Sequence, residues 1–188
     1  WVWPATPADG LSIETASGVF GQGLGGPDKT DYISAVTTAG LAFGTGDFTI
    51  EFIFHIDVSD TNATIIYDQR TGAGAQLVPT IYTLNGSLLY HSNGVDRVQT
   101  AGGIVSGGTY RVAVTRISGT TRLFLDGVLA SSVADTTNLV AGSTVWLMTA
   151  GDATKPNNFG LGGWIDELRV TKGVGRYSAT YAVATEAF

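Results

Sequence analysis

Apolar and polar residues alternate along much of this chain, at the period of two that sends successive side chains to opposite faces of a β-strand. The segment Asp47–Asp57 reads DFTIEFIFHID. Phe48, Ile50, Phe52, Phe54 and Ile56 fall on one face, and Thr49, Glu51 and His55 on the other, with Ile53 the exception. That pattern predicts a strand of an antiparallel sheet, with one face in the core and the other toward solvent. Tyr110, Val112 and Val114 repeat it, with Arg111 and Thr115 outward. Thr121–Asp126 and Val128–Val133 are expected to form a hairpin about Asp126-Gly127, a pair suited to the two positive φ angles of a tight type I′ turn. Asn85-Gly86 plays the same part between VPTIYTL and SLLYHS, and Asn93-Gly94 supplies a third turn. Further strands are expected at Leu11–Thr15, Asp31–Ser34, Thr64–Gln69, Val95–Thr100, Thr144–Thr149 and Trp164–Thr171. About a dozen short strands joined by Gly-rich turns predict an all-β sandwich or barrel, and two sheets of about five to seven strands would use the length well.

No segment has the pattern of an amphipathic helix. Val36–Leu41 and Gly175–Ala179 have room for one helical turn at most. The glycine-rich run Gly21–Gly26 neither follows a strand nor opens a helix, so it is expected to be a loop and not a phosphate cradle. Trp1–Asp9 (WVWPATPAD) has no periodicity. Residues 1–10 are therefore expected to be an extended arm or linker remnant ahead of a single sandwich domain over 11–188.

Composition sharpens the picture. The chain has 188 residues and no cysteine, which excludes disulfides, thiolate zinc sites and thiol catalysis. Charged residues are 14%, against about 25% in an ordinary domain, so the polar surface must come from Thr, Ser, Asn and Gly, residues of strands and turns. A net charge of −6 argues against sequence-independent nucleic-acid binding, which needs a basic footprint. No apolar run reaches the roughly 18 residues of a membrane-spanning helix, and no membrane partner is expected. Trp1–Gly10 has neither the basic nor the apolar region of a signal peptide, and a chain that begins at Trp1 reads as a processed product or a segment of a longer polypeptide.

Three segments, LAFGTGDFTIEFIF, TYRVAVTRISGTTRLFLDGVLASS and GGWIDELRVTKGVGRYSATY, follow one another in that order. Together they resemble the concanavalin A-like, laminin-G-like jelly-roll domains common in bacteriophage virion proteins. Phe43–Phe52 corresponds to that family's opening strand, Tyr110–Gly127 to its hairpin and Ile165–Tyr181 to its closing segment. The resemblance spans residues 11–188, and its ending Thr171–Tyr177 (TKGVGRY) is what points to phage proteins. Ile53 departs from the pattern, where the family often has Trp. The resemblance implies an antiparallel two-sheet β-sandwich on the capsid or tail surface of a virion. Other virion subunits in an oligomeric particle, and cell-surface glycans, would be its partners. Sandwiches of this kind serve as lectins, glycosidases, adhesion modules and capsid or tail appendages, so the site has to be argued separately.

Glycosidases that this fold resembles carry paired carboxylates at alternate positions of one strand. In Trp164-Ile165-Asp166-Glu167-Leu168 only Asp166 falls on the face of Trp164 and Leu168, and Glu167 falls on the other. Asp47 and Glu51 share a face but would be separated by about 13 Å along the strand, too far for a retaining pair. A non-enzymatic binding module is the expectation that follows. A purely structural capsid or tail protein, and a glycoside hydrolase with a degraded motif, are the alternatives.

Two loops have the chemistry of a binding site. Gly151–Gly160 (GDATKPNNFG) offers Asp152, Asn157 and Asn158 for sugar hydroxyls and Phe159 as a stacking face. Tyr90–Arg97 (YHSNGVDR) offers Tyr90, His91, Asn93, Asp96 and Arg97. The ordinary reading of the first is a polar connecting loop of turn residues, and of the second a hairpin turn with solvated neighbours. Asp166, expected on the core-facing side with Leu168 and Val170, needs donors or a cation if it is buried. Backbone N–H groups of a rim loop are one answer. Calcium, which takes oxygen ligands and is held at a rim by related sandwiches, is the other, with Asp166, Asp152 and Asp68 as candidate ligands. For Asp68 a salt bridge to Arg70 or another Arg is the ordinary alternative. Trp1 and Trp3 are candidate anchors in an interface with a neighbouring subunit, with packing back onto the sandwich as the alternative, while Trp146 and Trp164 read as core or rim residues. Asn62-Ala63-Thr64 and Asn85-Gly86-Ser87 match the glycosylation triplet, which a Thr- and Ser-rich chain produces by chance.

Overall fold

A computed structural model describes residues 12–26, 28–36, 39–58, 61–72, 74, 76–153 and 158–187. Its strands are β1 (Ser12–Gly18), β2 (Gly21–Gly26), β3 (Ile33–Val36), β4 (Phe48–Ile56), β5 (Thr64–Asp68), β6 (Thr80–Leu84) and β7 (Ser87–Ser92). They continue as β8 (Val95–Gln99), β9 (Gly108–Ile117), β10 (Thr120–Leu125), β11 (Val128–Ala134), β12 (Thr144–Leu147) and β13 (Gly163–Lys172). Two sheets result, a seven-stranded one in the order β1-β2-β13-β4-β9-β10-β11 and a six-stranded one in the order β3-β12-β5-β6-β7-β8. Neighbouring strands pair antiparallel, the all-β sandwich that the alternation predicts.

The inner faces meet in one core. β4 contributes Phe48, Ile50, Phe52, Phe54 and Ile56, and β9 contributes Val112 and Val114. From the other sheet come Ile66, Tyr67, Ile81, Leu88 and Tyr90. Local chemistry sets the hairpins: Asn85, Asn93 and Asp126 take φ of 50°, 53° and 50°, each followed by a glycine at 74° to 78°, as type I′ turns require. A single 3₁₀ turn at Ala39–Leu41 lies within Val36–Leu41. Residues 175–179 form no helical turn, and Gly21–Gly26 is a strand and not the expected loop. β2 lies between β1 and β13, where partners on both sides satisfy its backbone in place of side-chain packing. The expected arm, with Trp1 and Trp3, lies outside the described residues.

β4 departs from its expected half-burial. Thr49 and Glu51 are 0% and 3% exposed, so both faces of the strand are buried. The cause is the segment after β13, which turns back across the outer face of the seven-stranded sheet. Thr49 Oγ1 donates to the Val174 carbonyl at 2.9 Å, and the Arg176 N–H donates to Thr49 Oγ1 at 3.0 Å. The Tyr177 hydroxyl donates to Glu51 Oε2 at 2.7 Å, and Arg169 Nε and Arg176 Nε lie 2.7 and 3.2 Å from Glu51 Oε1. The Tyr177 and Tyr181 rings stack at 3.7 Å and both meet Phe124 edge-on. The strap ends at the β10–β11 turn, where the Tyr181 N–H donates to the Gly127 carbonyl at 2.9 Å.

Gly127 has φ +78°, and a Cβ there would run into the Tyr181 carbonyl. Gly127→Ala is expected to lower the unfolding free energy by about 2 kcal/mol through backbone strain and strap displacement. Tyr181→Ala is expected to cost a similar amount, about 2 kcal/mol, by removing one of the stacked rings. Urea denaturation measures both, and losses under about 0.5 kcal/mol in each would mean that the strap contributes little.

Candidate functional site

The outer face of the six-stranded sheet carries the site. Strand register places Trp146, Asp68, Thr80, His91 and Asp96 in one cross-strand row over β12, β5, β6, β7 and β8. The adjacent row, Leu147, Tyr67, Ile81 and Tyr90, points inward to the core. Because side chains alternate, the residues flanking that inner row face outward. Thr80, Tyr82 and Leu84 of β6 thus line a groove of about 300 Å³, together with Ile65, Arg70, His91, Asp152 and Phe159.

Asp68 sits beneath the groove, 0% exposed. Its carboxylate accepts from the Arg70 N–H at 2.9 Å, Arg70 Nε at 3.0 Å, Thr80 Oγ1 at 2.8 Å and the Gly151 N–H at 2.8 Å. The second terminal nitrogen of Arg70 lies 2.9 Å from Asp68 Oδ2, and the first donates to Asp152 Oδ2 at 2.8 Å. One guanidinium thereby holds the rim loop of Asp152 against β5. Burial opposes the Arg70 charge, but Asp68 and then Asp152 more than offset it, and the group titrates above its ordinary value. Gly151 permits the approach, since a side chain there would meet the Arg70 carbonyl and the Trp146 ring.

At the other end of the groove, Asp96 Oδ1 accepts from the Tyr82 hydroxyl at 2.7 Å and pairs with His91 Nδ1 at 2.8 Å. Burial, then the bond to Asp96, raises the Tyr82 pKa, so the phenol stays a donor throughout the neutral range. Phe159 is 44% exposed at the mouth, and its carbonyl anchors the Ile65 N–H at 2.7 Å.

The structure thus brings Asp152, Phe159 and His91 into one groove, with Asp68 behind them in the salt bridge to Arg70. Asn93 stands apart in the β7–β8 turn, where its N–H donates to the Gln76 carbonyl at 2.8 Å. Asn158 is exposed beside Phe159 without lining the groove, and Asn157 lies outside the described residues. Tyr90 is not a binding-loop residue but a core residue, 0% exposed. Arg70, Tyr82 and Leu84 complete the lining without belonging to a recognisable binding motif. The sign of the last two was the pattern TIYTL, which puts an aromatic and an aliphatic residue on the face opposite Ile81.

Asp166 belongs to the other sheet. It pairs with Ile53, and a bulge follows at Glu167, which has φ +53°. The bulge shifts the phase of the strand, so Ile165, Leu168 and Val170 pack on the core while Asp166 faces outward, contrary to expectation. Asp166 accepts the Phe20 N–H at 3.3 Å and the Glu167 N–H at 2.8 Å. Asp166, Asp152 and Asp68 therefore do not converge. Among the described residues no three His, Asp or Glu side chains gather as a metal set. The Arg70 guanidinium already supplies the positive charge between Asp68 and Asp152, so these residues do not fit a calcium ion.

Two antiparallel sheets stacked on one core, with an open groove on one outer face, define a β-sandwich domain with the architecture of a binding module. A family model described as the concanavalin A-like lectin/glucanases superfamily matches residues 27–174, and the chain belongs to that superfamily. No curated protein matches the chain. Among solved structures, domain 4 of an extracellular arabinanase from Geobacillus stearothermophilus, in complex with arabinotriose, is similar with a TM-score of 0.69 at 17% identity. That match covers 92% of this chain and 84% of the arabinanase domain. The binding domain of botulinum neurotoxin DC, in complex with SialylT, is similar with a TM-score of 0.65 at 12% identity over 90% of this chain. The chain spans 42% of that toxin domain. At these identities the likeness is one of fold.

Arg70→Ala would strand Asp68 as a buried carboxylate without its counter-charge, and is expected to cost about 3–5 kcal/mol of stability. Asp152→Ala removes a partly exposed partner and is expected to cost about 1 kcal/mol or less. Chemical denaturation of the two variants checks this, and equal small losses would show that Arg70 is not what satisfies Asp68.

Proposed function

We propose that this chain is a non-catalytic carbohydrate-binding module whose ligand lies in the groove over β5, β6 and β7. The observation that carries the reading is the lining itself. Tyr82, Phe159, Ile65 and Leu84 offer apolar surface beside the polar groups of Asp152, His91 and Thr80. A sugar presents the same division, with C–H faces that rest on aromatic rings and hydroxyls that bond to carboxylates and imidazole. The similar arabinanase domain was solved with arabinotriose and the toxin domain with SialylT, which supports the same use of the fold here.

Hydrolysis needs a second carboxylate free to act on the bond. Asp68 and Asp152 share one guanidinium and so lie close together, but Asp68 is enclosed and its oxygens are taken by Arg70, Thr80 and Gly151. It cannot reach a ligand in the groove, and Asp96, held by Tyr82 and His91, is not one of the residues that line it, which favours binding over cleavage. The closing motif Thr171–Tyr177 supports a place for the module on a virion surface, beside other virion subunits, with host glycans as the target.

Calorimetric titration against an oligosaccharide panel tests the reading. Tyr82→Ala and Phe159→Ala are each expected to weaken binding about tenfold, the worth of one aromatic contact, while the fold is retained by circular dichroism. Unchanged affinity in both variants would remove the groove as the site. Failure of the wild-type chain to bind any glycan, or release of reducing ends from the panel, would overturn the proposal.

A further inference from the structure

Resting on the glycan-binding reading, the charges around the groove also indicate which glycans it takes. We propose that the groove selects uncharged sugars and rejects anionic ones, such as those bearing sialic acid, uronic acid or sulfate. Recognition of an anion requires donors with charge to spare, and the usual device is an arginine fork turned toward the ligand. Among the described lining residues, Arg70 is the one permanent cation. Its Nε and one terminal nitrogen are committed to Asp68, and the other terminal nitrogen to Asp152. The imidazole of His91 is turned to Asp96 through Nδ1. Two carboxylates, Asp68 and Asp152, therefore share one guanidinium, a third, Asp96, stands beside His91 at the other end, and among the described residues carboxylate charge exceeds permanent cationic charge at the groove. The side chains of Asp152 and Asp96 are 25% and 42% exposed, so solvent and salt screen part of their charge.

The same carboxylates suit a neutral polyol. Each is held in place by one oxygen, Asp152 Oδ2 by Arg70 and Asp96 Oδ1 by Tyr82 and His91. No described residue bonds to Asp152 Oδ1, which lines the groove and is positioned to accept a sugar hydroxyl without first being oriented.

The test pairs neutral and anionic versions of one ligand, lactose with sialyllactose and a galactan oligomer with a galacturonan oligomer, titrated against the intact chain at low and high salt. The neutral member of each pair is expected to bind about tenfold or more tightly than its anionic counterpart, with the gap narrowing as salt screens the carboxylates. Asp152→Asn frees one side of Arg70 and is expected to raise the affinity for the anionic ligand relative to the neutral one by about tenfold. Equal or tighter binding of the anionic members, still lost in Tyr82→Ala, would overturn the selectivity while leaving the groove as the site. An Asp152→Asn variant with unchanged selectivity would also count against it. Absence of binding by either member of both pairs would instead remove the glycan-binding reading itself.

Discussion

The Asp68 carboxylate is enclosed on every side, and its solvation is replaced by donors from three parts of the chain. Arg70 extends from the end of β5, Thr80 opens β6, and Gly151 belongs to the loop after β12. A buried carboxylate is costly unless each of its lone pairs finds a partner, so the three parts cannot drift independently. The groove depends on that constraint. Arg70, fixed by Asp68, fixes Asp152 in turn, and the loop that carries Asp152 also brings Phe159 to the mouth. Binding surfaces built from loops are imprecise unless something rigid supports them, and here the support is an ion pair rooted in the sheet.

The two outer faces of the sandwich have different fates. The strap of residues 173–184 covers the central strands of the seven-stranded sheet, and its contact with β4 is polar as well as apolar. Glu51, nearly buried, is neutralised by Arg169 and Arg176 and hydrogen-bonded by Tyr177. The Glu51 hydrogen bond raises the Arg169 pKa, and burial followed by Glu51 raises that of Tyr177, so both remain protonated donors across the neutral range. A face sealed in this way offers little to a ligand: the space left beneath the strap is about 30 Å³. Among the described residues no such strap covers β5, β6 and β7 of the six-stranded sheet, where Phe159 and His91 stay within reach of solvent.

Features governed by local chemistry were legible in the residues. Asn85-Gly86, Asn93-Gly94 and Asp126-Gly127 announce their turns because positive φ is a property of the pair itself. The inward set of β4 follows from alternation alone. What the residues did not show depends on distant parts of the chain or on a break in phase. Glu51 was placed toward solvent because the Arg176 and Tyr177 that bury it lie about 125 positions away. Simple alternation puts Asp166 on the wrong face because one bulge residue, Glu167, resets the count. The candidate site divided in the same way. Asp152, Phe159 and His91 could be named from residue type, but Tyr82 enters only through the sheet register, and Asp152 meets Arg70 across 82 positions. The three proposed calcium ligands failed to converge because residue type cannot say which rim, or which sheet, a carboxylate belongs to.

The central claim is that ligand meets the protein on the open face of the six-stranded sheet. Backbone amide shifts recorded during titration with a neutral oligosaccharide test it most directly. The account predicts that the shifts cluster at residues 65–70, 80–84, 91, 150–153 and 158–159, and that β4, β9 and residues 173–184 stay unperturbed. Shifts concentrated on Glu51, Arg111, Tyr177 and Tyr181 beneath the strap, with β6 silent, would contradict it.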